Sequence, residues 1–275
     1  MSLSITEQLA YSTVRLECTT ATGQTQTGTG FLFKFLEKEN EYVPVIVTNK
    51  HVIKGAVKGK FILTKSDKDG NPLNTEHFTA DFVNFEKQWK LHPENDVDLC
   101  AMPLAPVLNY AQQKGVNLFY RVFDKSIIAT TEQKSEFTAL EDVIMIGYPN
   151  GIWDYVNNQP IFRKGTTATH PNIDYNGKKE FMIDVACFPG SSGSPVLIYN
   201  PNGYTNKSGG TMMGGIRVIL IGVLFAGPQH TATGEIKIMN VPQLQQPMTI
   251  SRIPNNLGIC LKSERILELE KQFEQ

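Results

Sequence analysis

The chain has 275 residues, 41% of them hydrophobic and 19% charged. That length buries a substantial core in one large domain or two small ones, and the composition excludes a disordered chain. Lys+Arg 26 against Asp+Glu 27 gives a net charge of -1, so no global field draws the protein to nucleic acid or to an anionic membrane surface.

The 22 Gly and 15 Pro are spread along the chain among 15 Phe and 9 Tyr, which predicts many short strands separated by turns. In the first half, strands are predicted at Thr13–Cys18, Gly30–Leu36, Val43–Thr48, Lys60–Thr64, His77–Phe85 and Val97–Pro103. Val43-Pro-Val-Ile-Val-Thr48 is almost continuously apolar, as a buried strand is. Leu104 to Leu140 is less regular and reads as a connection between two halves. Pro106 there sits in the first turn of a short helix.

A second set of strands is predicted at Asp142–Gly147, Gly165–Thr169, Glu180–Val185, Ser194–Tyr199, Ile216–Ala226 and Gly234–Met239. The end differs. Ser263 is placed to cap a helix, and Ile266, Leu269 and Phe273 follow at helical spacing, so a C-terminal helix docks an apolar stripe. Two all-β halves and a final helix suggest a double β-barrel.

The most apolar run, Val218 to Gly227, is far shorter than the ~18 residues a spanning helix needs. Met1 to Glu7 has neither the basic nor the apolar region of a signal peptide. Cys18, Cys100, Cys187 and Cys260 form no C-x-x-C and lie in apolar stretches. They read as buried free thiols, without a metal site, in a reducing cytoplasm. Asn206-Lys-Ser208 has the form of a glycosylation sequon but reads as a polar hairpin turn.

The most informative segment is Cys187-Phe-Pro-Gly-Ser-Ser-Gly-Ser-Pro-Val196. A G-x-S-G match arises by chance about 0.08 times per chain of this composition, and the Ser-Pro that follows cuts this to about 5 × 10⁻⁴. Glycines on both sides let the backbone turn sharply and a substrate carbonyl approach. Such a turn aims the N–H groups of Gly190 and Ser192 at one point, as an oxyanion hole requires, with Ser192 the nucleophile. A serine hydroxyl needs a base. Of the five histidines, His51 stands out, because a buried strand runs straight into it. The base in turn needs an orienting carboxylate. Asp96 and Asp98 both lead into the apolar run Leu99-Cys-Ala-Met102.

With these residues in view, the chain resembles trypsin-like (chymotrypsin-fold) serine proteases, in the style of the bacterial HtrA-like and glutamyl-endopeptidase-like members. The matching pieces are Thr27-Gly-Thr-Gly-Phe-Leu-Phe33, Val47-Thr-Asn-Lys-His-Val52, Asp98-Leu-Cys-Ala-Met102, Ile146-Gly-Tyr-Pro149, Gly190-Ser-Ser-Gly-Ser-Pro195 and Ile221-Gly-Val-Leu-Phe-Ala-Gly227. They cover most of the chain in the family's order. The resemblance implies an all-β fold of two six-stranded antiparallel β-barrels with a C-terminal α-helix. The whole chain, 1–275, would be one peptidase domain: a first barrel over 1–105, a connection over 106–140, a second barrel over 141–260 and a helix over 261–275.

The resemblance also assigns roles. His51 is the general base, Asp98 rather than Asp96 orients it, and Ser192 is the nucleophile, with Gly190 and Ser192 as the oxyanion hole. Ala186 stands at the base of the P1 pocket and Leu224 where viral relatives carry a histidine, which implies a small or apolar P1 residue. Phe225, Ala226 and Gly227 form the rim that pairs with substrate backbone. Ser191 replaces the Asp or Asn found before the nucleophile in many secreted members, so activation by N-terminal cleavage is not expected.

The resulting expectation is a cytoplasmic serine endopeptidase acting on peptide or protein substrates, with no metal or organic cofactor. Its activity would be restrained by a regulatory protein partner, a closed loop or narrow specificity. The alternative is a catalytically silent pseudoprotease kept as a binding or scaffold domain. An α/β-hydrolase is excluded by residue order, because no Asp or Glu lies between Ser192 and His230, the only later histidine.

Overall fold

A computed structural model of the chain describes residues 3–39, 41–227, 229–232, 251–254 and 256–274. Helix α1 (Ile5–Ala10) opens on a capping box between Ser4 and Glu7. It is followed by β1 (Thr13–Thr20), β2 (Thr25–Lys38), β3 (Glu41–Thr48), the short helix α2 (Lys50–Ile53), β4 (Ala56–Ser66), β5 (Pro72–Val83), β6 (Lys90–Leu91) and β7 (Cys100–Pro103). The connection holds α3 (Ala105–Gln113), β8 (Leu118–Phe119) and α4 (Thr131–Ser135). The second half has β9 (Asp142–Gly147), β10 (Ile161–Thr167), β11 (Glu180–Asp184), β12 (Pro195–Asn200), the small hairpin β13 (Tyr204–Thr205) and β14 (Thr211–Met212), and β15 (Arg217–Ala226). It ends with the pair β16 (Gln229–Ala232) and β17 (Ser251–Pro254), then β18 (Leu257–Lys262) and α5 (Glu264–Glu270).

The two halves differ from the expected pair of six-stranded barrels. The second half is a closed barrel in the order β10-β11-β18-β15-β12-β9. The first half is an eight-stranded sheet in the order β5-β4-β1-β2-β3-β7-β6, with β8 paired to β4. Among the described residues, β5 and β6 do not join to close it. Strand β18, which the sequence reading did not place, closes the second barrel. It pairs with β11 through Phe181↔Cys260 and with β15 through Leu224↔Cys260. The strand predicted at Gly234–Met239 lies outside the described residues.

Period-2 alternation explains why β2 and β3 are so apolar. Phe31, Phe33, Phe35, Val45 and Val47 point to a core shared between the halves, where they meet Ile144, Ile146, Leu197 and Val223. Leu32 and Ile46, between them, point to the interior of the first sheet. Both faces are therefore buried, as the continuous apolar run predicted. Around Asn206, Gly210 N–H donates to Asn206 Oδ1 at 2.7 Å inside the β13–β14 hairpin, a polar turn as expected.

The C-terminal helix forms, but Ser263 does not cap it. Its side chain makes no capping hydrogen bond, and its backbone is already helical. The apolar stripe docks as read. Ile266 and Leu269 are fully buried in the core between the halves, and the Phe273 ring lies 5.2 Å from that of Phe35. Ile266→Ala is expected to destabilise the protein by about 2–5 kcal/mol through the cavity it leaves. Urea unfolding checks this; a change below about 1 kcal/mol would show that α5 is not part of the shared core.

Candidate active site

His51 is carried by α2, directly after β3. Val52 and Ile53 bury the other side of this short helix. A Cβ on Gly28 would lie 2.3 Å from Val52, so the glycine of the Thr27-Gly-Thr-Gly run lets the helix settle on β2. The half-exposed His51 ring donates from Nδ1 to Asp98 Oδ2 at 2.5 Å. The backbone N–H of His51 donates to the other carboxylate oxygen, Oδ1, at 3.0 Å. One carboxylate thus fixes both the main chain and the ring, and Asn49 Nδ2 holds the Asp98 carbonyl at 2.7 Å. With Nδ1 given to Asp98, Nε2 is left for the cleft. Asp96 is exposed and makes no such contact.

Ser192 belongs to the tight turn between β11 and β12. Its carbonyl accepts from the backbone N–H of Thr29 on β2 at 2.9 Å. Gly190 and Gly193 both have φ +87, in the left-handed region that favours glycine. A Cβ on Gly193 would lie 2.0 Å from the Thr29 carbonyl oxygen, and one on Gly190 2.5 Å from that of Tyr148. Both positions need glycine for conformation and for space. The turn's N–H groups divide into two sets. Those of Ser191, Gly193 and Ser194 donate to Phe188, Leu224 and Ser191 carbonyls at 2.8–3.0 Å. Those of Gly190 and Ser192 have no acceptor among the described residues.

His51, Gly190 and Ser192 line one cleft of about 310 Å³. No hydrogen bond joins Ser192 to His51 among the described residues; they share the cleft lining. Leu224, Phe225, Ala226 and Gly227 line the cleft. Ala186 does not. Strand β11 ends at Asp184, and beyond it Val185 and Cys187 turn inward; Ala186 is half-buried and its carbonyl accepts from the Arg163 guanidinium. Cys187 and Phe188 form that wall instead, facing Gln26, Thr27 and Val52 from the first half. Direction after the strand's end, which spacing alone does not carry, decides which side chain reaches the cleft. A larger cavity of about 570 Å³ lies beside α4 and the β13–β14 hairpin, lined by Glu136, Tyr204 and Met213 among others. It contains neither His51 nor Ser192.

The described residues include no helix long and apolar enough to cross a membrane. All four cysteines are free and buried. Fold and cleft together define a mostly β protein with a histidine–carboxylate pair and a glycine-flanked serine on one cleft. The family model of the trypsin-like peptidase domain matches residues 28–203, more than half of the chain. The chain belongs to this family of trypsin-like serine proteases, whose substrates are peptides or proteins.

Several solved structures are similar. The Rv3671c protease of M. tuberculosis in its active form is 14% identical, with 96% of this chain and 82% of that one covered and a TM-score of 0.48. The HtrA-type protease AlgW with tripeptide is 14% identical, covering 96% of this chain and 60% of that one, at a TM-score of 0.47. Deg5 is 18% identical, covering 82% and 88%, at 0.43. No curated protein sequence matches the chain.

Burial pushes the Cys187 thiol up to about 12, although it borders the cleft. At pH 8 only about one thiol in 10⁴ would be thiolate, the reactive form. Iodoacetamide at pH 8 is therefore expected to spare Cys187 in the folded protein and to alkylate it after denaturation. Peptide mass mapping reads the difference, and alkylation of native Cys187 would contradict its buried, neutral state.

Proposed function

We propose that the protein is a serine endopeptidase in which Ser192 is the nucleophile, His51 the general base and Asp98 the residue that orients it. The observation that carries this reading is the His51–Asp98 pair at 2.5 Å on the same cleft as Ser192. His51 Nε2 takes the Ser192 hydroxyl proton as Oγ bonds to the substrate carbonyl carbon. The resulting oxyanion accepts from the two free N–H groups of Gly190 and Ser192. Collapse breaks the C–N bond, His51 protonates the leaving amine, and an acyl-enzyme remains. Water, deprotonated by His51, then attacks the ester, releases the acid and returns the proton to Ser192. Asp98 stays ionised throughout and stabilises the imidazolium.

The halves divide this chemistry between them, with base and carboxylate on the first and nucleophile on the second. The reading therefore takes the whole chain as one peptidase domain. It extends to two β halves over 1–105 and 141–260, the second a closed barrel, joined by 106–140 and followed by the C-terminal helix over 261–275. Four free thiols support residence in the reducing cytoplasm. A protease there needs restraint, for which a regulatory protein partner is one source.

Substrate choice follows from the wall of the cleft. Cys187, Leu224, Phe225, Ala226 and Gly227 line it without a charged side chain, which supports a small or apolar P1 residue. Phe225 also sits in a bulge. The β15–β18 register passes from Leu224↔Cys260 to Ala226↔Ile259, leaving Phe225 outside the ladder, where an extended substrate can add as a strand.

Intact-mass labelling with a fluorophosphonate is expected to give one adduct on the wild-type chain, and none on Ser192→Ala or His51→Ala. Asp98→Asn is expected to slow labelling by about 10⁴-fold, because the imidazole loses its tautomer and orientation. Absence of an adduct on folded wild type would favour the silent pseudoprotease. In a P1-randomised peptide library, cleavage after Ala, Val or Leu is expected; a dominant basic or acidic P1 would overturn the reading of the cleft wall.

A further inference from the structure

The turn that carries Ser192 is held largely by one residue of the other half. Thr29, on β2, is fully buried and uses every polar group it has. Its hydroxyl accepts from the Tyr148 N–H at 3.1 Å and donates to the Gly190 carbonyl at 3.0 Å. Its N–H donates to the Ser192 carbonyl at 2.9 Å. Its own carbonyl accepts from the Thr48 hydroxyl at 2.6 Å, at the end of the strand that leads to His51.

We propose that the Thr29 side chain is a positioning residue for catalysis, holding the Gly190 peptide so that the N–H groups of Gly190 and Ser192 stay aimed at the substrate oxyanion. The proposal rests on the assignment of Ser192 and its oxyanion hole made above. In a trans peptide the C=O and N–H point in opposite directions, so fixing a carbonyl fixes the N–H of the next residue. Asn150 N–H holds the Pro189 carbonyl at 2.5 Å and so orients the Gly190 N–H. The Thr29 hydroxyl holds the Gly190 carbonyl, and the Thr29 N–H holds the Ser192 carbonyl. The plane bearing the Ser192 N–H is held by the Ser194 N–H on the Ser191 carbonyl at 3.0 Å, and the planes before and after it are the two that Thr29 grips.

Without the hydroxyl this grip fails at its softest point. Gly190 meets little steric resistance to the opposite sign of φ, so only its neighbours select +87. The Gly190 carbonyl and the Tyr148 N–H would both lose their partner in a buried site, where unpaired polar groups are costly. Rotation of the Gly190–Ser191 plane is one way to relieve that cost; it breaks the Ser191 N–H bond to the Phe188 carbonyl and shifts the adjoining planes that bear the Gly190 and Ser192 N–H groups. The hydroxyl is therefore coupled to the donors' direction while touching neither substrate nor reacting atom.

The test compares wild type, Ser192→Ala, Thr29→Val and Thr29→Ser. Thr29→Val keeps the shape of the side chain and removes the hydroxyl; Thr29→Ser keeps the hydroxyl. Two probes are used. A fluorophosphonate reports phosphonylation of Ser192, with fluoride leaving and the P=O oxygen drawing on the oxyanion hole, and diethylpyrocarbonate reports His51, which does not need it. Thr29→Val is expected to label at Ser192 at least tenfold more slowly than wild type at saturating probe, with half-saturation within twofold. Its His51 modification rate is expected to be unchanged. Thr29→Ser is expected to recover most of the labelling rate.

Equal labelling by Thr29→Val and wild type would overturn the proposal, as would a parallel loss of both probe reactions. Labelling of wild type that persists in Ser192→Ala would instead overturn the site assignment and the proposal with it. If Thr29→Val does not fold, Thr29→Ala removes the same hydroxyl from a smaller side chain and carries the same expectation.

Discussion

The close approach of two backbones, β2 at Thr29 and the turn at Gly190–Gly193, is the constraint on which the cleft depends. A nucleophile and a base carried on different halves of a chain meet only if those halves are locked to within a fraction of an ångström. Here the lock is backbone to backbone. The Thr29 N–H donates to the Ser192 carbonyl at 2.9 Å, and the space that a Gly193 Cβ would occupy is filled by the Thr29 carbonyl. Leu224 on β15 grips the turn from the other side, accepting from the Gly193 N–H at 2.8 Å and donating to the Ser194 carbonyl at 3.0 Å. Most N–H groups of the turn are thereby consumed, and the two left over both belong to residues that line the cleft.

Beneath this contact the apolar core shared by the halves supplies the bulk of the adhesion. Phe31, Phe33 and Phe35 of β2 reach across to Ile146, Leu197 and Val223, and α5 inserts Ile266 and Leu269 into the same cluster. Dispersion and burial are non-directional, so this core sets the distance between the halves without setting their register. The hydrogen bonds at Thr29 supply the register. The division of labour resembles that within a β-sheet, where apolar faces hold and ladders align.

Much of this was legible in the sequence, and the limits have physical causes. His51 and Ser192 stand at ends of strongly apolar strands, so the strand pattern points at them. The glycines around Ser192 mark a turn that no other residue accommodates. Asp98 and Asp96 were not separable by pattern, since both precede the same apolar run; the carboxylate that reaches the ring is decided by the local path after Glu94, where Val97 N–H bonds the Glu94 carbonyl. Ala186 does not line the cleft: burial still alternates past the end of β11 at Asp184, with Val185 and Cys187 buried and Ala186 half-buried, but spacing does not tell which wall a side chain reaches. Strand β18 went unread because Leu257-Gly-Ile-Cys-Leu-Lys262 is short and runs directly into the helix. Thr29 shows the remaining limit. Its run was recognisable, but the partners of its hydroxyl are more than a hundred residues away in the chain.

The C-terminal helix connects this lock to the other end of the His51 pair. Arg265, itself buried, reaches Glu94 at 2.5 Å and Glu268 at 2.6 Å, while Glu268 stands 3.3 Å from the ring of the buried His92. Lys50, beside His51, donates to the Glu94 carbonyl at 2.8 Å. The segment that leads into Asp98 is therefore gripped at Glu94 by α5 from one side and by α2 from the other. The helix that fills the core between the halves also steadies the carboxylate paired with His51. Ion pairs of this kind add little when exposed, and where one partner is desolvated, as Arg265 is, the desolvation cost offsets much of the attraction. Their greater effect here is geometric. They tie the position of Asp98 to the same element that sets the spacing of the halves, so His51 and Ser192 are referred to one common core.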